Sequence, residues 1–322
     1  MAISEAQIAE ASLWLDQHAA AAQKIQDAAQ QAAKSTWFSF EAWYSAAAVA
    51  AVANEMSQLS TASQNMIVGT AQHYIANVVA ALRGTKVTIP RTTLPPVRGA
   101  SSPLSLVHTR PAEAYRKAVA TGHAHDEALT LAAERGVNLQ TGDLNLAERI
   151  GQHSLMGELG ITQYRRVVRP ELSKGGSCGL CIAASDRIYS IEELLPMHGN
   201  CKCKTMPIIG EDDPGIRLNK DDLKRLYKDA GGKGDPTTDP KALKRTRYVV
   251  NEHGEYGPVI AKEGDNFRGP SQVRLEDDPA RAARMLAKTL PILKRMEAEG
   301  AKPGPLQYQR DLVAKLTAIV GS

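Results

Sequence analysis

Apolar residues recur at helical spacing through the first third of the chain. Near the N-terminus they return every seven positions, which predicts one long helix with a narrow, alanine-lined face. These positions are Ile8, Leu15, Ala22 and Ala29. Similar spacing predicts a second helix over about 36–59 and a third over about 62–82. Alanine fills 19 of the first 53 positions, and its high helix propensity supports this prediction.

Three aromatic residues, Trp37, Phe40 and Tyr44, lie along one side of the predicted second helix. We interpret them as part of the core of a helical bundle rather than as a docking surface. An alanine-lined face buries little apolar area, so these helices by themselves should be only marginally stable. We therefore predict that the N-terminal helices pack against another chain.

Proline and glycine divide the chain into four regions. The first is the alanine-rich helical region, and the second is a connector that is too rich in proline to be helical. The third returns to helical spacing and then reaches the four cysteines, and the fourth is a charged C-terminal region. The regions are 1–85, 86–111, 112–210 and 211–322. The predicted fold class is mainly α, with a small α+β module around the cysteines.

The third and fourth regions contain further predicted elements. The expected helices are 112–121, 126–135, 143–157, 219–229, 279–296 and 306–320. Asp126 and Asp143 are the expected N-cap residues of two of them. Two short strands are expected within 246–262, and Pro291 should interrupt the first helix of the tail. The tail is basic, which allows it to dock on a partner protein, on DNA or on its own core.

All four cysteines fall within residues 178–203. Cys178 and Cys181 form a Cys-x-x-Cys pair, while Cys201 and Cys203 form a Cys-x-Cys pair that follows His198. A Cys-x-x-Cys on a tight turn can point both sulfurs at one centre, and a hairpin can bring a second pair back to complete a tetrahedral zinc site. The stretch therefore offers five candidate ligands for four positions, so one of them is spare.

Three interpretations of this cluster stay open. It holds a structural Zn²⁺ ion, or its thiols or disulfides staple the hairpin without metal, or it is a thioredoxin-type redox centre. The redox centre is the least favoured, because that motif belongs in a strand-to-helix context and residues 173–177 have the composition of a flexible turn. The Cys-x-Cys spacing also departs from the usual pair of knuckles in a zinc ribbon.

Five short motifs surround and include the cysteines: 164–172 (YRRVVRPEL), 176–181 (GSCGLC), 186–189 (DRIY), 195–198 (LPMH) and 201–203 (CKC). Together with Pro207, they resemble the core of the Mu F-like minor head proteins of tailed bacteriophages, in the versions found in phages of actinobacteria. The resemblance is specific over 164–208 and looser over 111–163.

This resemblance implies a function in phage head morphogenesis. Proteins of the family associate with the portal, are packaged in small numbers inside the head, and are implicated in DNA packaging or ejection. The chain is accordingly expected to be a minor capsid protein without enzymatic activity, made in the host cytoplasm and located in the virion near the portal. The implied partners are the portal protein, the major capsid or scaffold proteins, and packaged DNA through non-specific contact.

Charge and motifs leave two other function classes as alternatives. Residues 1–85 carry a net charge of −3 and residues 86–322 a net charge of +7, which favours contact with nucleic acid. The alternatives are a metal- or thiol-dependent enzyme that uses the cysteine cluster, and a DNA-binding module. The sequence contains no His-Glu-x-x-His and no base-reading motif.

Composition also limits where the chain is expected to act. No apolar run reaches the roughly 18 residues that a membrane-spanning helix needs, so no such segment is predicted. The N-terminal residues lack the basic and apolar segments of a signal peptide. Cysteines clustered in one motif suit a reducing cytoplasm.

Overall fold

A computed structural model describes eight segments of the chain, and these are mainly α-helical, as the sequence predicts. The segments are 3–89, 97–98, 103–172, 184–194, 202–229, 248–253, 257–262 and 278–321. None of the helices in these segments has an apolar stretch long enough to cross a membrane.

Three long helices build the centre of the fold. The first five helices are α1 Glu5–Phe38, α2 Ala46–Arg83, α3 Leu104–Val107, α4 Arg110–Ala120 and α5 His125–Glu158. Helices α1, α2 and α5 pack against one another. The side chain of Ser4 caps α1 in a capping box with Gln7, and Ser45 caps α2. Gly84 ends α2 with a φ of 66°, a left-handed conformation that glycine adopts at little cost.

The predicted boundaries of the second and third helices are wrong. Helix α1 continues to Phe38, and α2 then runs unbroken through the position where the sequence predicted a boundary. Trp37 therefore lies in the last turn of α1, while Phe40 and Tyr44 lie in the connection before α2. The aromatic residues nevertheless belong to a core cluster, and the Trp43 ring stacks on Tyr115 with centroids 4.1 Å apart. The interpretation of these aromatics as bundle core is confirmed.

Helix α5 is also longer than predicted, because it passes through Gly136 without stopping. At this glycine α5 comes close to α1, since a Cβ added to Gly136 would lie 2.6 Å from Cδ1 of Trp37. Asp143 was predicted to be an N-cap but lies inside α5 and is fully buried. The predicted capping by Asp126 is also wrong: Ala124 precedes the helix, and the carboxylate of Glu127 accepts from its backbone N–H at 3.3 Å.

A small antiparallel sheet covers one end of the three long helices. Its strands are β1 Gln163–Val167, β2 Ile188–Ser190 and β3 Lys204–Ile208, in the order β2-β1-β3. Single turns of 3₁₀-helix follow β1 at Pro170–Leu172 and β2 at Ile191–Glu193. The hydroxyl of Tyr74 on α2 donates to the carbonyl of Thr205 on β3 at 2.5 Å, which ties the sheet to the helices.

The alanine-lined face of α1 is buried within the chain itself. Ala22 and Ala29 pack with Leu144 and Ala147 of α5 and with Ile67 of α2. Nearer its N-terminus, α1 contributes to a larger core cluster that also includes residues of α2, α5 and the sheet. The N-terminal helices and the three-stranded sheet therefore share one hydrophobic core, and α5 packs on the face that the sequence predicted to meet another chain.

The C-terminal region adds short elements and a helical hairpin. Its described helices are α6 Pro214–Leu218, α7 Lys220–Asp229, α8 Pro279–Ala298 and α9 Pro303–Gly321. The two predicted strands are confirmed as β4 Tyr248–His253 and β5 Gly257–Lys262, which pair antiparallel. Helix α8 continues through Pro291, so the predicted interruption is wrong. Pro291 lies on an exposed side of α8, where water can satisfy the carbonyl that loses its donor.

Candidate cysteine centre

Cys203 is the predicted metal ligand that falls within the described residues. Cys178, Cys181, His198 and Cys201 lie outside them. Cys203 immediately precedes β3, and only 3% of its surface is exposed. It belongs to the core cluster that joins the long helices to the sheet. This end of the predicted cluster is therefore part of the hydrophobic core.

Two guanidinium groups approach the thiol of Cys203. Nη1 of Arg166 lies 3.4 Å from Sγ, and Nη2 of Arg149 lies 3.8 Å from Sγ while it donates to the Cys203 carbonyl at 2.8 Å. Both arginine side chains are buried. Positive charges beside a cysteine stabilise its thiolate, which is the form that binds metal and the form that reacts. Two buried guanidinium groups therefore face the Cys203 sulfur.

Neighbouring side chains hold both arginines in place. The guanidinium of Arg166 lies over the rings of Tyr164 and Tyr189, 5.8 and 5.4 Å from their centroids. Nη1 of Arg149 donates to Oγ1 of Thr205, and to Oε1 of Gln152 at 3.3 Å. Strand β1 supplies Arg166 and α5 supplies Arg149, so the thiol sits where the sheet meets the longest helices.

A buried ionic cluster lies next to this centre. Nζ of Lys204 is 2.8 and 3.0 Å from the two carboxylate oxygens of Glu148, and Nε2 of His18 is 2.8 Å from Oε1 of the same carboxylate. Burial alone would raise the pKa of Glu148, but the Lys204 ammonium and the His18 hydrogen bond outweigh it and hold the pKa below its usual range. Burial lowers the pKa of His18, so its ring is neutral at pH 7 and donates from Nε2 to Glu148.

A second buried ion pair anchors the predicted connector. Arg98 donates from Nε to Oδ1 of Asp143 at 2.7 Å, and Asp143 is fully buried on α5. Burial raises the pKa of Asp143 and the Arg98 guanidinium opposes that change. Nε2 of His108 lies 3.8 Å from Oδ2 of Asp143. Burial, followed by the charges of Arg98 and Arg110, lowers the pKa of His108 to about 4.

Sequence reasoning identified the cysteine but missed the charges around it. Glu148 falls four residues after Leu144 and seven before Leu155, so it occupies the same helical face as two core residues. A charged residue in the middle of an apolar helical face indicates a buried ion pair, because buried charges are nearly always paired. Nothing local in the sequence identifies Lys204 and His18 as its partners.

The guanidinium groups of Arg149 and Arg166 both approach the Cys203 sulfur, at 3.8 and 3.4 Å. Guanidinium donors that hydrogen-bond a ligating sulfur act as outer partners, which orient the ligand and balance its charge. In the part of the chain that is described, no three His, Cys, Asp or Glu side chains converge to hold a metal ion. No family model, no curated protein and no solved structure matches this chain.

Proposed function

We propose that this chain is a structural protein of a tailed-phage head, similar to the Mu F-like minor head proteins. It associates with the portal inside the capsid and acts in head morphogenesis and DNA packaging or ejection. The residues that carry the sequence resemblance, 164–208, span the three-stranded sheet except for Gln163, the first residue of β1. That overlap is the observation that supports the proposal most, because the described part of the motif forms one sheet that packs against the three long helices.

The buried position of Cys203 supports a structural rather than a catalytic cluster. A catalytic metal needs an open coordination position that a substrate can reach. The described end of the cluster is instead covered by α5 and the sheet, with 3% exposure at Cys203. Cys178, Cys181, His198, Cys201 and Cys203 would hold one Zn²⁺ between them, with one of the five as a spare. The ion would crosslink its ligands, and the free energy of its binding would add to the stability of the folded chain.

The direct test is to count copies of this chain in particles. Quantitative mass spectrometry of gradient-purified heads should find it at a copy number comparable to or below that of the portal subunits. The major capsid protein in the same sample provides the internal standard. Absence of the chain from both immature and mature heads would overturn the proposal.

Metal analysis tests the structural zinc separately. Protein purified under reducing conditions should contain about one zinc per chain, and Cys203→Ser should lose the zinc together with much of the thermal stability. His153→Gln changes an exposed histidine outside the cluster and serves as the matched control. His198→Gln tests whether this histidine is the spare ligand. A folded, zinc-free protein in which all four thiols react with iodoacetamide would contradict the structural zinc site.

A thiol-dependent enzyme is the second candidate, because Arg149 and Arg166 favour the reactive thiolate of Cys203. The two candidates predict different alkylation of the folded protein. A structural thiol in this core should be protected from iodoacetamide at pH 7 until the chain unfolds. Rapid labelling of Cys203 in the folded protein at pH 6 would favour the enzyme.

A further inference from the structure

Helix α8 turns its apolar face towards α9. Its residues Ala282, Met285 and Leu286 form a cluster with Leu312, Leu316 and Ile319 of α9. Gln309 of α9 is also buried, and its Nε2 donates to the carbonyls of Thr289 on α8 and of Ala120 on α4. The hairpin of α8 and α9 is therefore closed on itself and docked on the end of α4.

A row of cations lies beside this apolar face. Arg281, Arg284, Lys288 and Arg295 fall within an arc of about 60° on α8 and extend about 21 Å along its axis. The last three are exposed and Arg281 is half-buried. We call these four residues the cation row. Within the described part of the chain, no carboxylate makes a salt bridge to any of them.

The acidic residues near α8 leave most of the cation row open. Glu297 lies on the other side of the helix and pairs with Arg310 of α9 at 2.9 Å. Glu299 follows Arg295 by one turn, so it lies beyond the C-terminal end of the row. Asp278 caps the other end of α8, where its carboxylate accepts from the backbone N–H of Arg281 at 2.9 Å. Arg284 and Lys288, in the middle of the row, therefore lie furthest from opposing charge.

Small side chains line the outer edge of the cation row. Ala280 and Ala287 are exposed next to it, so the longer Arg and Lys side chains project beyond their neighbours. A ligand with a broad, evenly distributed negative charge can then approach α8 closely. Duplex DNA fits this description, because it carries one negative charge per roughly 1.7 Å of its axis.

We propose that the cation row of α8 binds the phosphate backbone of duplex DNA without reading its base sequence. The row offers positive charges along one line, which positions a backbone but carries no sequence information. An anionic membrane fits less well, since a helix that binds lipid inserts an apolar face and that of α8 is already covered by α9. The proposal does not depend on the phage assignment, because it concerns charge on the folded chain alone.

The test measures how salt weakens binding of the full chain to DNA. Two 30-base-pair duplexes of unrelated sequence are titrated by fluorescence anisotropy between 50 and 200 mM KCl. We expect equal affinities for the two duplexes. Each phosphate contact contributes about 0.9 to the slope of log affinity against log salt. The triple change Arg281→Gln, Arg284→Gln and Lys288→Gln should therefore reduce that slope by about 2 to 3.

A matched control removes the same charge elsewhere. Lys24, Lys86 and Lys224 are exposed, and changing all three to Gln alters net charge equally without touching α8. This control should keep a slope close to that of the unmodified chain. An unchanged slope in the α8 variant, an equal loss in the control, or binding to phosphatidylglycerol vesicles but not to DNA would each overturn the proposal. Circular dichroism melting verifies that both variants fold.

Discussion

The same residue types serve two different purposes in the centre of the molecule and in its C-terminal hairpin. Around Cys203 the cations are buried, and Lys204 lies within 3.0 Å of both carboxylate oxygens of Glu148. On α8, Arg284 and Lys288 lie on the surface. A buried charge is strongly destabilising when its partner is lost, whereas an exposed one contributes little to stability. Substitutions in the centre should therefore unfold the protein, and substitutions on α8 should affect only binding.

The largest expected effect comes from breaking the ionic cluster. Glu148→Gln leaves the Lys204 ammonium buried without its counter-ion, which should cost about 3–5 kcal/mol of unfolding free energy. Glu134→Gln, at an exposed position on the same helix, should cost almost nothing. Urea denaturation measures both. Adding Lys204→Met to Glu148→Gln should recover part of the loss, and a double variant no more stable than the single one would contradict this account of the cluster.

Acid should destabilise the centre through His108. Its pKa is about 4 in the folded protein against 6.5 for an unperturbed histidine, so the unfolded chain binds the proton first. This part of the stability is complete above pH 6.5 and is lost as the pH falls towards 4. The loss amounts to about 3 kcal/mol for one buried histidine.

His108→Gln should reduce the slope of unfolding free energy against pH by up to about 1.4 kcal/mol per pH unit in that window. Lowered pKa values at His18 and Glu148 leave a residual slope in the variant. His153→Gln, which removes an exposed histidine elsewhere on α5, is the control. Equal slopes for His108→Gln and the unmodified chain would refute the assignment.

Two glycines test how closely the centre is packed. Gly136→Ala places a Cβ 2.6 Å from Cδ1 of Trp37, a fully buried ring, and should cost about 1–3 kcal/mol. Gly69→Ala meets nothing within 4 Å and should stabilise α2 by about 0.5–1 kcal/mol. Thermal melting compares the two. Destabilisation of the same size at both positions would mean that helix packing does not explain either glycine.

The most localised expected effect sharpens the comparison from the side of the hairpin. Gln309→Ala removes two hydrogen bonds and leaves buried carbonyls at Ala120 and Thr289, at a cost of about 1–3 kcal/mol to docking of the hairpin. Hydrogen exchange should accelerate in α8 and α9 and stay slow in α1 and α2. Gln307→Ala, at an exposed position on the same helix, is the control. Faster exchange throughout the chain would show that the two regions unfold together.

The sequence predicts the helices and the cysteine cluster because both are local patterns. It misplaces the helix ends because Gly136 has the residue type of a helix stop, yet its role is to make room for Trp37. Asp143 likewise has the residue type of an N-cap, but its partner is Arg98, 45 residues away. The Glu148–Lys204 pair is separated by 56 residues, so no window of helical spacing can reveal it. Local rules fail here because tertiary contacts determine the role of each residue.

The hydrogen bond between Tyr74 and Thr205 has a consequence for how the chain is made. Its two residues are 131 positions apart, and those of the His18–Glu148 contact are 130 apart. At about 5–20 residues per second, a ribosome adds the second partner roughly 7–26 seconds after the first. Until α5 has been made, α1 and α2 have neither α5 nor β3 to cover them. The nascent N-terminal helices therefore expose their alanine-lined face to other proteins before the centre of the molecule can close.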